Sequence, residues 1–457
     1  MRFTLLWCSF LFVPLLVMGQ TKGDETIERK ELNRTIVTIS KLLQENYISE
    51  SIGEKMAQHI KHKHRENEYA DLSYKALGKA LTADFREVSG DIHMSAYYNL
   101  KKDSPEESLF SEIGEDYGAR NNYGSTEVKI LEGNIGYYKI SNFTLFKFFE
   151  EAKEVTQNAL SFLRNTDALI IDVRDNPGGF EAIVAFLVSH FVNTDVVDLQ
   201  EYYCRYSDSK SKISVQKGLS SVGFREMPIY IMINKGTGSA AESFAYIMKH
   251  LERATLVGES TAGAGNGSTF FQVADEFRIQ ISVCETINQV TKTSWEKTGV
   301  IPDIMVDNDS IYSKTLEFAR FRGKNNREVK DTRAKKAITQ LEQLMEKPDL
   351  GLTSTEISES IKICNRAGVS QNTINTLGYK YLREGKNKVA EIIFKTNMDL
   401  FLNSPNTYDS YAEALFANGN RSESVEYYRK AIDLAKEQNH PDTEIYEQNL
   451  ERILMKE

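Results

Sequence analysis

The chain has 457 residues, of which 41% are hydrophobic and 26% are charged, and its net charge is −9. This length accommodates two or three domains, and the composition is typical of globular proteins with a full apolar core. The acidic balance disfavours binding to nucleic acid, because contacts with phosphates need a basic surface.

The N-terminal segment has the pattern of a secretory signal. Arg2 precedes an apolar run from Leu5 to Met18, and the small residue Gly19 follows the run. Because the run is short for a membrane span, a signal peptide at residues 1–19 is favoured over a retained anchor. We predict a secreted or periplasmic protein with no stable membrane span once this signal is cleaved.

Cysteine usage argues against a disulfide scaffold. After signal cleavage three cysteines remain, at positions 204, 284 and 364. Three cysteines cannot all pair within one chain, although an oxidising compartment would permit one bridge.

Residues 27–112 are predicted to form a small helical subdomain. Apolar residues recur at helical spacing in ELNRTIVTISKLLQENYI, and the same pattern returns in DLSYKALGKALTADFREV. The region has no strong strand pattern until the segment that follows it.

Residues 128–308 alternate between strand and helix patterns. We predict strands in GNIGYYKISNF, ALIIDVRDNPGG, PIYIMINKG, TLVGEST and FRIQISVCETI, with helices in FEAIVAFLVSHFV and SAAESFAYIMKH. This alternation predicts an α/β core, a sheet with parallel strands covered by helices. Sites in such sheets lie outside the carboxyl ends of the strands, where two glycine-rich turns, 176–179 and 236–238, are expected.

The C-terminal part is predicted to be all-α. Residues 309–372 form a polar helical connector, and residues 373–457 contain a repeat. GKNKVAEIIFKTNMDL aligns with GNRSESVEYYRKAIDL at an offset of 34 residues, the period of tetratricopeptide repeats. The likeness implies either a docking surface for a protein partner or a structural cap, and the sequence leaves both open.

Ser239 is the first candidate for chemistry, because it lies between a strand end and a helical pattern. The N-terminus of a helix stabilises an oxyanion, and the N–H of Ala240 could donate to it. The alternative is a helix cap: serine is a preferred N-cap, and Glu242 three residues later fits a capping box. From the local pattern the cap is the simpler interpretation.

The second turn, DVRDNPGG, offers a partner for Ser239. Gly178 and Gly179 expose N–H groups with no Cβ in the way, so either could join Ala240 in an oxyanion hole. The alternative is an ordinary Pro-Gly turn between a strand and a helix.

The motifs DVRDNPGG, INKGTGSAAESFA, VGESTAGAGNG and TGVIPDI occur in this order along the chain. With this set of motifs, residues 30–308 resemble the S41 peptidases, which include the carboxy-terminal processing proteases, the tricorn-type core and the interphotoreceptor retinoid-binding protein modules. The resemblance implies a ClpP/crotonase-like βαβ core with Ser239 as nucleophile. The processing proteases carry a PDZ domain before the core, but here only residues 100–127 separate the helical region from the first core strand, too few for such a domain, which points to the retinoid-binding-like branch.

The family divides over the base that accepts the serine proton. The processing proteases place a lysine in a turn that here reads TAGAGNG, with Ala264 at the lysine position, and neither Lys235 nor Lys249 matches that position. The tricorn-like branch uses a histidine from the helical region, and His93 in GDIHMSA stands there. Taken without the resemblance, His93 is more simply a cap or a core residue.

Two further features complete the catalytic assignment. Glu296 matches the family's acidic position and would orient the His93 ring, although a solvated loop carboxylate is the alternative. The tricorn type has a serine just before the histidine, whereas here the residue is Ile92, so part of that relay is missing or supplied elsewhere.

The resemblance requires no metal or organic cofactor. The histidines of QHIKHKHREN, at positions 59, 62 and 64, fit no closed set of ligands, and an exposed basic helix end is favoured. The sequence therefore predicts a serine endopeptidase acting on peptides or proteins. The alternatives are a non-catalytic binder of apolar ligands on the same scaffold and an interaction protein that works through its repeats.

Overall fold

The computed structural model describes residues 24–98, 118–143, 148–193, 198–219, 222–274, 276–345 and 353–455. The predicted signal peptide and residues 99–112 of the predicted helical subdomain lie outside these ranges. The chain divides into two compact units, one ending at Gly323 and the other beginning at Lys324.

The first unit contains eleven labelled strands among its described residues. They are β1 Ser95–Tyr98, β2 Ser125–Leu131, β3 Ile135–Ile140, β4 Ala168–Asp172, β5 Asp198–Cys204, β6 Ser209–Ser214, β7 Ile229–Ile233, β8 Thr255–Gly258, β9 Gly267–Ala274, β10 Phe277–Asn288 and β11 Ile304–Met305. Its helices are α1 Arg29–Asn46, α2 Glu50–Arg65, α3 Tyr74–Ser89, α4 Phe149–Leu163, α5 Glu181–Ser189, α6 Val222–Glu226 and α7 Ala240–His250.

A six-stranded sheet forms the centre of the first unit, in the order β11-β8-β7-β4-β3-β2. All neighbours run parallel except β2 and β3, and β4 and β7 are buried along their whole lengths. Such strands have continuous apolar sequences because helices cover both faces of a parallel sheet. The α/β core is therefore confirmed, and the carboxyl ends of β4 and β7 lie side by side.

A second sheet is wholly antiparallel and was not predicted. Its order is β1-β10-β5-β6, with β9 also paired to β10. The predicted strand FRIQISVCETI lies here, and its apolar side chains pack with those of α1, α2 and α3 in one buried cluster. A disulfide joins Cys204 of β5 to Cys284 of β10, while Cys364 is free and buried.

The second unit is helical. The long helix α8, Ile311–Met345, spans the division, and the following helices are α9 Ser354–Arg366, α10 Gln371–Arg383, α11 Asn387–Leu400, α12 Pro405–Ala417, α13 Arg421–Glu437 and α14 Thr443–Leu454. Helices α10 and α12 begin 34 residues apart, as do α11 and α13. No helix in the described part of the chain is long and apolar enough to cross a membrane.

Candidate active site

Hydrogen bonds tie together the two turns that follow β4 and β7. The backbone N–H of Asp175 donates to Asn234 Oδ1 at 3.0 Å, and the N–H of Gly238 donates to the Asn176 carbonyl at 2.9 Å. The Thr237 hydroxyl donates to the carbonyl of Val173 at 2.8 Å. The turn of the DNPGG motif and the turn before Ser239 are therefore joined to each other at the carboxyl ends of β4 and β7.

Ser239 lies at the start of α7 in a backbone conformation that serine rarely adopts, with φ 50° and ψ −121°. Such conformations cost about 1–3 kcal/mol and persist where the surrounding structure imposes them. Its side chain is partly exposed. A Cβ added to Gly178 would lie 2.6 Å from Ser239 Cβ and 2.8 Å from the Ala240 nitrogen, so only glycine allows the two turns to approach this closely.

The two glycines differ in what their N–H groups contact. The N–H of Gly178 donates to Asn176 Oδ1 at 2.9 Å. Gly179 is exposed, and within the described residues neither its N–H nor that of Ala240 has a hydrogen-bond acceptor. Of the predicted oxyanion donors, the structure thus leaves Gly179 and Ala240 available.

Glu242 connects Ser239 to the loop at residues 261–266. Its buried carboxylate accepts the N–H of Ser239 at 2.9 Å and those of Gly263 and Ala264 at 2.7 and 2.8 Å. Burial raises the pKa of this carboxyl, and the hydrogen bonds it accepts oppose the increase. The sequence had indicated only a capping role for Glu242, which here also holds the loop.

Glu296 holds the next two residues of the same loop. Its Oε2 accepts the N–H of Gly265 at 2.7 Å and that of Asn266 at 3.0 Å. Four consecutive backbone amides, 263–266, are therefore shared by two carboxylates, the first pair by Glu242 and the second pair by Glu296. This loop contains Ala264, whose position the processing proteases give to their lysine.

His93 lies beside Glu296 and a second acid, Asp91. One ligand atom from each of the three side chains lies within 4.8 Å of the others. The distance between His93 Nδ1 and Asp91 Oδ1 is 3.7 Å, and the backbone N–H of His93 donates to Asp91 Oδ1 at 2.9 Å. The structure thus brings the predicted pair of His93 and Glu296 close together, although within the described residues neither His93 Nδ1 nor Glu296 Oε1 has a hydrogen-bond partner.

The two acids beside His93 have opposite electrostatic properties. Burial and the charge of Asp91 raise the pKa of Glu296 to about 7, against two backbone hydrogen bonds that lower it. Burial also opposes ionisation of Asp91, but the hydrogen bond and positive charge from His93 help to lower its pKa to about 2. Near neutral pH, Asp91 is therefore the carboxylate that carries a full charge beside the imidazole.

The sequence interpretation missed Asp91 and Asn266, although both stand inside motifs it used, GDIHMSA and TAGAGNG. The Asn266 side chain donates to Asp91 Oδ2 at 3.3 Å, while its backbone donates to Glu296. Tyr47 also donates to Asp91 Oδ2, at 3.2 Å. Ile92, which stands where the tricorn type has serine, is 41% exposed, whereas Asp91 is fully buried.

The lysines near Ser239 in sequence have partners elsewhere. Lys249 forms an ion pair with Asp303 at 2.9 Å and donates to the Ile301 carbonyl at 2.7 Å. Lys235 is largely exposed and pairs with Glu259 at 3.2 Å. Neither contact is with Ser239.

Two groups of side chains in the described residues have the spacing of metal ligands. One is Asp91, His93 and Glu296, and the other is His59, Asp84 and Glu87. In the second group Asp84 already accepts hydrogen bonds from Lys63 at 2.7 Å and from Tyr69 at 2.5 Å, so its charge is satisfied. The first group coincides with the predicted base and the acid that orients it.

Two family models match this chain. The model of peptidase family S41 matches residues 134–306, and the model of the N-terminal domain of peptidase S41 in eukaryotic IRBP matches residues 27–115. The two matched ranges include Ser239, Glu296 and His93.

Named relatives are processing peptidases. Carboxyl-terminal-processing peptidase 2 of Arabidopsis thaliana chloroplasts is 29% identical over 173 residues, covering 37% of this chain and 31% of the relative. The carboxyl-terminal-processing protease of Synechocystis is 26% identical over 38% of each chain, and CtpB of Bacillus subtilis is 27% identical over 41% of this chain and 37% of the relative. The chain thus spans only 31–38% of the length of these relatives.

Solved structures with a similar arrangement include two proteases. The photosystem II D1 C-terminal processing protease is 15% identical, with a TM-score of 0.40 over 65% of this chain and 98% of the other. The tricorn protease is 14% identical, with a TM-score of 0.42 over 65% of this chain and 37% of the other.

Proposed function

We propose that this chain, which the models of peptidase family S41 and of its N-terminal domain match, is a serine-type peptidase with Ser239 as nucleophile. The observation that supports this most directly is the shared loop. Glu242, one turn into the helix that begins at Ser239, and Glu296, beside His93, bind successive amides of residues 263–266. Nucleophile and base are thereby attached to the same short segment.

In the proposed mechanism, Ser239 Oγ attacks the carbonyl carbon of a peptide bond and His93 Nε2 accepts the hydroxyl proton. The carbonyl oxygen becomes an oxyanion, which the N–H groups of Gly179 and Ala240 stabilise. His93 then returns the proton to the leaving amine. Water, activated by the same imidazole, hydrolyses the acyl-enzyme and releases Ser239.

Asp91 and Glu296 would act through His93. The ionised Asp91 carboxylate stabilises the imidazolium that forms during the attack, because opposite charges attract strongly where water is excluded. Glu296, whose pKa is raised to about 7, holds the loop amides beside His93, so its proposed contribution is to position the loop next to the ring. Ala264 explains why a lysine base is not part of this mechanism.

Two assays test the proposal. The first uses an activity-based probe, such as a fluorophosphonate, that forms a covalent bond with reactive serines. The second measures whether the protein cleaves a denatured substrate protein. We expect labelling of the wild type, none in Ser239→Ala, and at least 100-fold slower labelling in His93→Ala. Ser313→Ala, which changes an exposed serine on α8, is the matched control and should retain full labelling.

Two other results would count against this function. A folded wild-type protein that is neither labelled nor able to cleave peptides, yet binds retinoids or fatty acids, would instead be a binder of apolar ligands. Equal labelling of the wild type and of Ser239→Ala would assign the reactive serine elsewhere.

We also propose that the protein is secreted or periplasmic and that its repeats dock a protein partner. The disulfide between Cys204 and Cys284 supports an oxidising compartment. The 34-residue spacing of helix starts in the second unit supports tetratricopeptide-like repeats. N-terminal sequencing of the protein recovered from cell fractions tests the first point, and deletion of residues 373–457 followed by assays of activity and of co-purifying proteins tests the second.

A further inference from the structure

A carboxylate outside the proposed catalytic group lies close to Ser239. Glu181 is the first residue of α5 and follows the Gly178–Gly179 turn by two positions. Its Oε2 accepts a hydrogen bond from the Ser243 hydroxyl at 2.9 Å. The backbone N–H of Ser243 donates to the Ser239 carbonyl at 2.9 Å, so Ser243 lies one turn beyond Ser239. Glu181 therefore borders the place where a substrate would meet the nucleophile.

Two buried polar groups near Glu181 have no hydrogen-bond partner within the described residues, the Gln200 amide oxygen and the Tyr202 hydroxyl. Gln200 is fully buried and donates to the Ser243 hydroxyl, but its own Oε1 has no hydrogen-bond donor within the described residues. Tyr202, two positions along β5, has its buried hydroxyl near the Glu181 carboxylate, but within the described residues that hydroxyl also has no hydrogen-bond partner. A buried amide oxygen without a donor costs about 1–3 kcal/mol, so its persistence beside a carboxylate suggests that a donor arrives with a ligand.

Glu181 also lacks a counter-charge. Burial raises the pKa of this carboxyl to about 7, and the hydroxyls of Ser243 and Tyr202 offset the increase only in part. No lysine, arginine or histidine among the described residues contributes to this shift. Glu181 as a residue is nevertheless partly exposed.

We propose that Glu181, with Gln200 and Tyr202, forms a substrate subsite that takes the side chain of a lysine or arginine adjoining the scissile bond. This inference rests on the proposed peptidase function and specifies its substrate class. An ammonium or guanidinium group supplies several N–H donors and a positive charge, and the site has one amide oxygen without a donor and a carboxylate without a cation. An apolar side chain would satisfy neither group.

The first test uses only the wild-type protein. Two peptide substrates are compared that differ at one residue beside the scissile bond, lysine in one and the uncharged norleucine of similar length in the other. We expect kcat/KM to be at least 10-fold higher for the lysine peptide. Equal values would overturn the inference, and the peptide bonds cleaved in a digest, mapped by mass spectrometry, would show which residues replace lysine and arginine.

The second test uses Glu181→Gln, which removes the charge and keeps the shape. The ratio of kcat/KM between the lysine and norleucine peptides should fall at least 10-fold, while Glu181→Asp should retain part of the preference. Glu151→Gln, an exposed acid in the first turn of α4, is the matched control and should leave the ratio unchanged. An unchanged ratio in Glu181→Gln would overturn the inference.

Failure of the inference and failure of the proposed function give different results. If the wild type labels at Ser239 and cleaves peptides without a preference for basic residues, the subsite is wrong and the peptidase stands. If no peptide is cleaved and Ser239 is not labelled, the peptidase function itself fails. Because the norleucine comparison needs no variant, a Glu181→Gln protein that did not fold would leave the inference testable.

Discussion

The segment around Ser239 and the segment around His93 reach the same loop by different physical means. Around Ser239 the geometry is built from backbone: a serine at φ 50°, two glycines at positive φ, and hydrogen bonds between main-chain groups of two turns. Around His93 it is built from side chains, since Asp91, Glu296, Tyr47 and Asn266 form a connected polar group.

This difference separates two kinds of sensitivity. In a turn fixed by close steric contact, an added side-chain atom either fits or disrupts the turn, because closely packed backbone cannot move by an ångström. A cluster fixed by charges responds gradually, because protonation changes its energy over several pH units. The Ser239 segment should therefore fail abruptly on substitution, and the His93 segment should change smoothly with pH.

The largest expected effect is on the backbone side. A Cβ on Gly179, at φ 145°, would lie 1.4 Å from the carbonyl oxygen of Phe143. We expect Gly179→Ala to lower the free energy of unfolding by about 4 kcal/mol and to abolish probe labelling at Ser239. Gly218→Ala is the control: its φ is also positive, but no described atom lies within 4 Å, so about 1 kcal/mol is expected. Urea denaturation measures both, and equal losses would contradict the steric argument.

Loss of the disulfide should have the next largest effect, on the side of His93. The bridge closes a loop of 80 residues and ends at Cys284, whose Cβ would lie 3.2 Å from a Cβ placed on Gly267, next to the shared loop. We expect the Cys204→Ser/Cys284→Ser double variant to lose about 3 kcal/mol of unfolding free energy. Thermal unfolding of this variant and of the wild type measures the loss. Equal midpoints for the double variant and the wild type would exclude a stabilising role.

The pH dependence of stability should differ in sign between the two acids beside His93. The pKa of Glu296 is raised from 4.5 to about 7, so its stabilising contribution is complete below about pH 4.5 and is lost as the pH rises through about 7. The pKa of Asp91 is lowered from 3.8 to about 2, so its contribution is present above about pH 4 and is lost as the pH falls toward 2.

Two variants test these opposite pH dependences of the unfolding free energy. Relative to the wild type, Glu296→Gln should become progressively more stable between about pH 5 and pH 8. Asp91→Asn should be less stable than the wild type at pH 7, with the deficit shrinking below about pH 4. Denaturant titrations across this range measure both trends, and parallel curves for the two variants would show that the acids do not titrate as a contrasting pair.

The smallest effect is expected for the lysines near Ser239. Lys235 is 82% exposed and its ion pair with Glu259 is on the surface, where such pairs contribute about 0.5 kcal/mol. We expect Lys235→Ala to change the equilibrium constant for unfolding and the rate constant for probe labelling by less than two-fold relative to the wild type. A loss of labelling larger than that would point to a lysine base and would weaken the role proposed for His93.

The frame of the Ser239 segment could be predicted because its signals are local. A buried apolar strand, a glycine-containing turn and a helical repeat each report the conformation of a few adjacent residues. The position of both glycine-rich turns at the carboxyl ends of parallel strands could also be predicted, since alternating strands and helices imply parallel pairing. Gly178 and Gly179 could be proposed together, but only the contact of Gly178 with Asn176 separates their roles.

The frame of the His93 segment could not be predicted in the same way. Asp91 and Asn266 are 175 residues apart, and no periodicity in the sequence records such a contact. The antiparallel sheet that supports this side was missed for a similar reason: β10 has an ordinary strand pattern, and the pattern does not specify which strands it pairs with. His93 and Glu296 were proposed only through the resemblance to a family.

The length of the loop at residues 263–266 sets the distance between the two halves of the site. Glu242 binds the first two backbone amides of the loop and Glu296 binds the next two. Insertion or deletion of one residue would shift this register, so that one carboxylate would lose a donor while the distance between the two halves of the site changed by about 3 Å. Length variation is thus expected on either side of the loop in natural homologues and in evolved libraries, but not between these four positions.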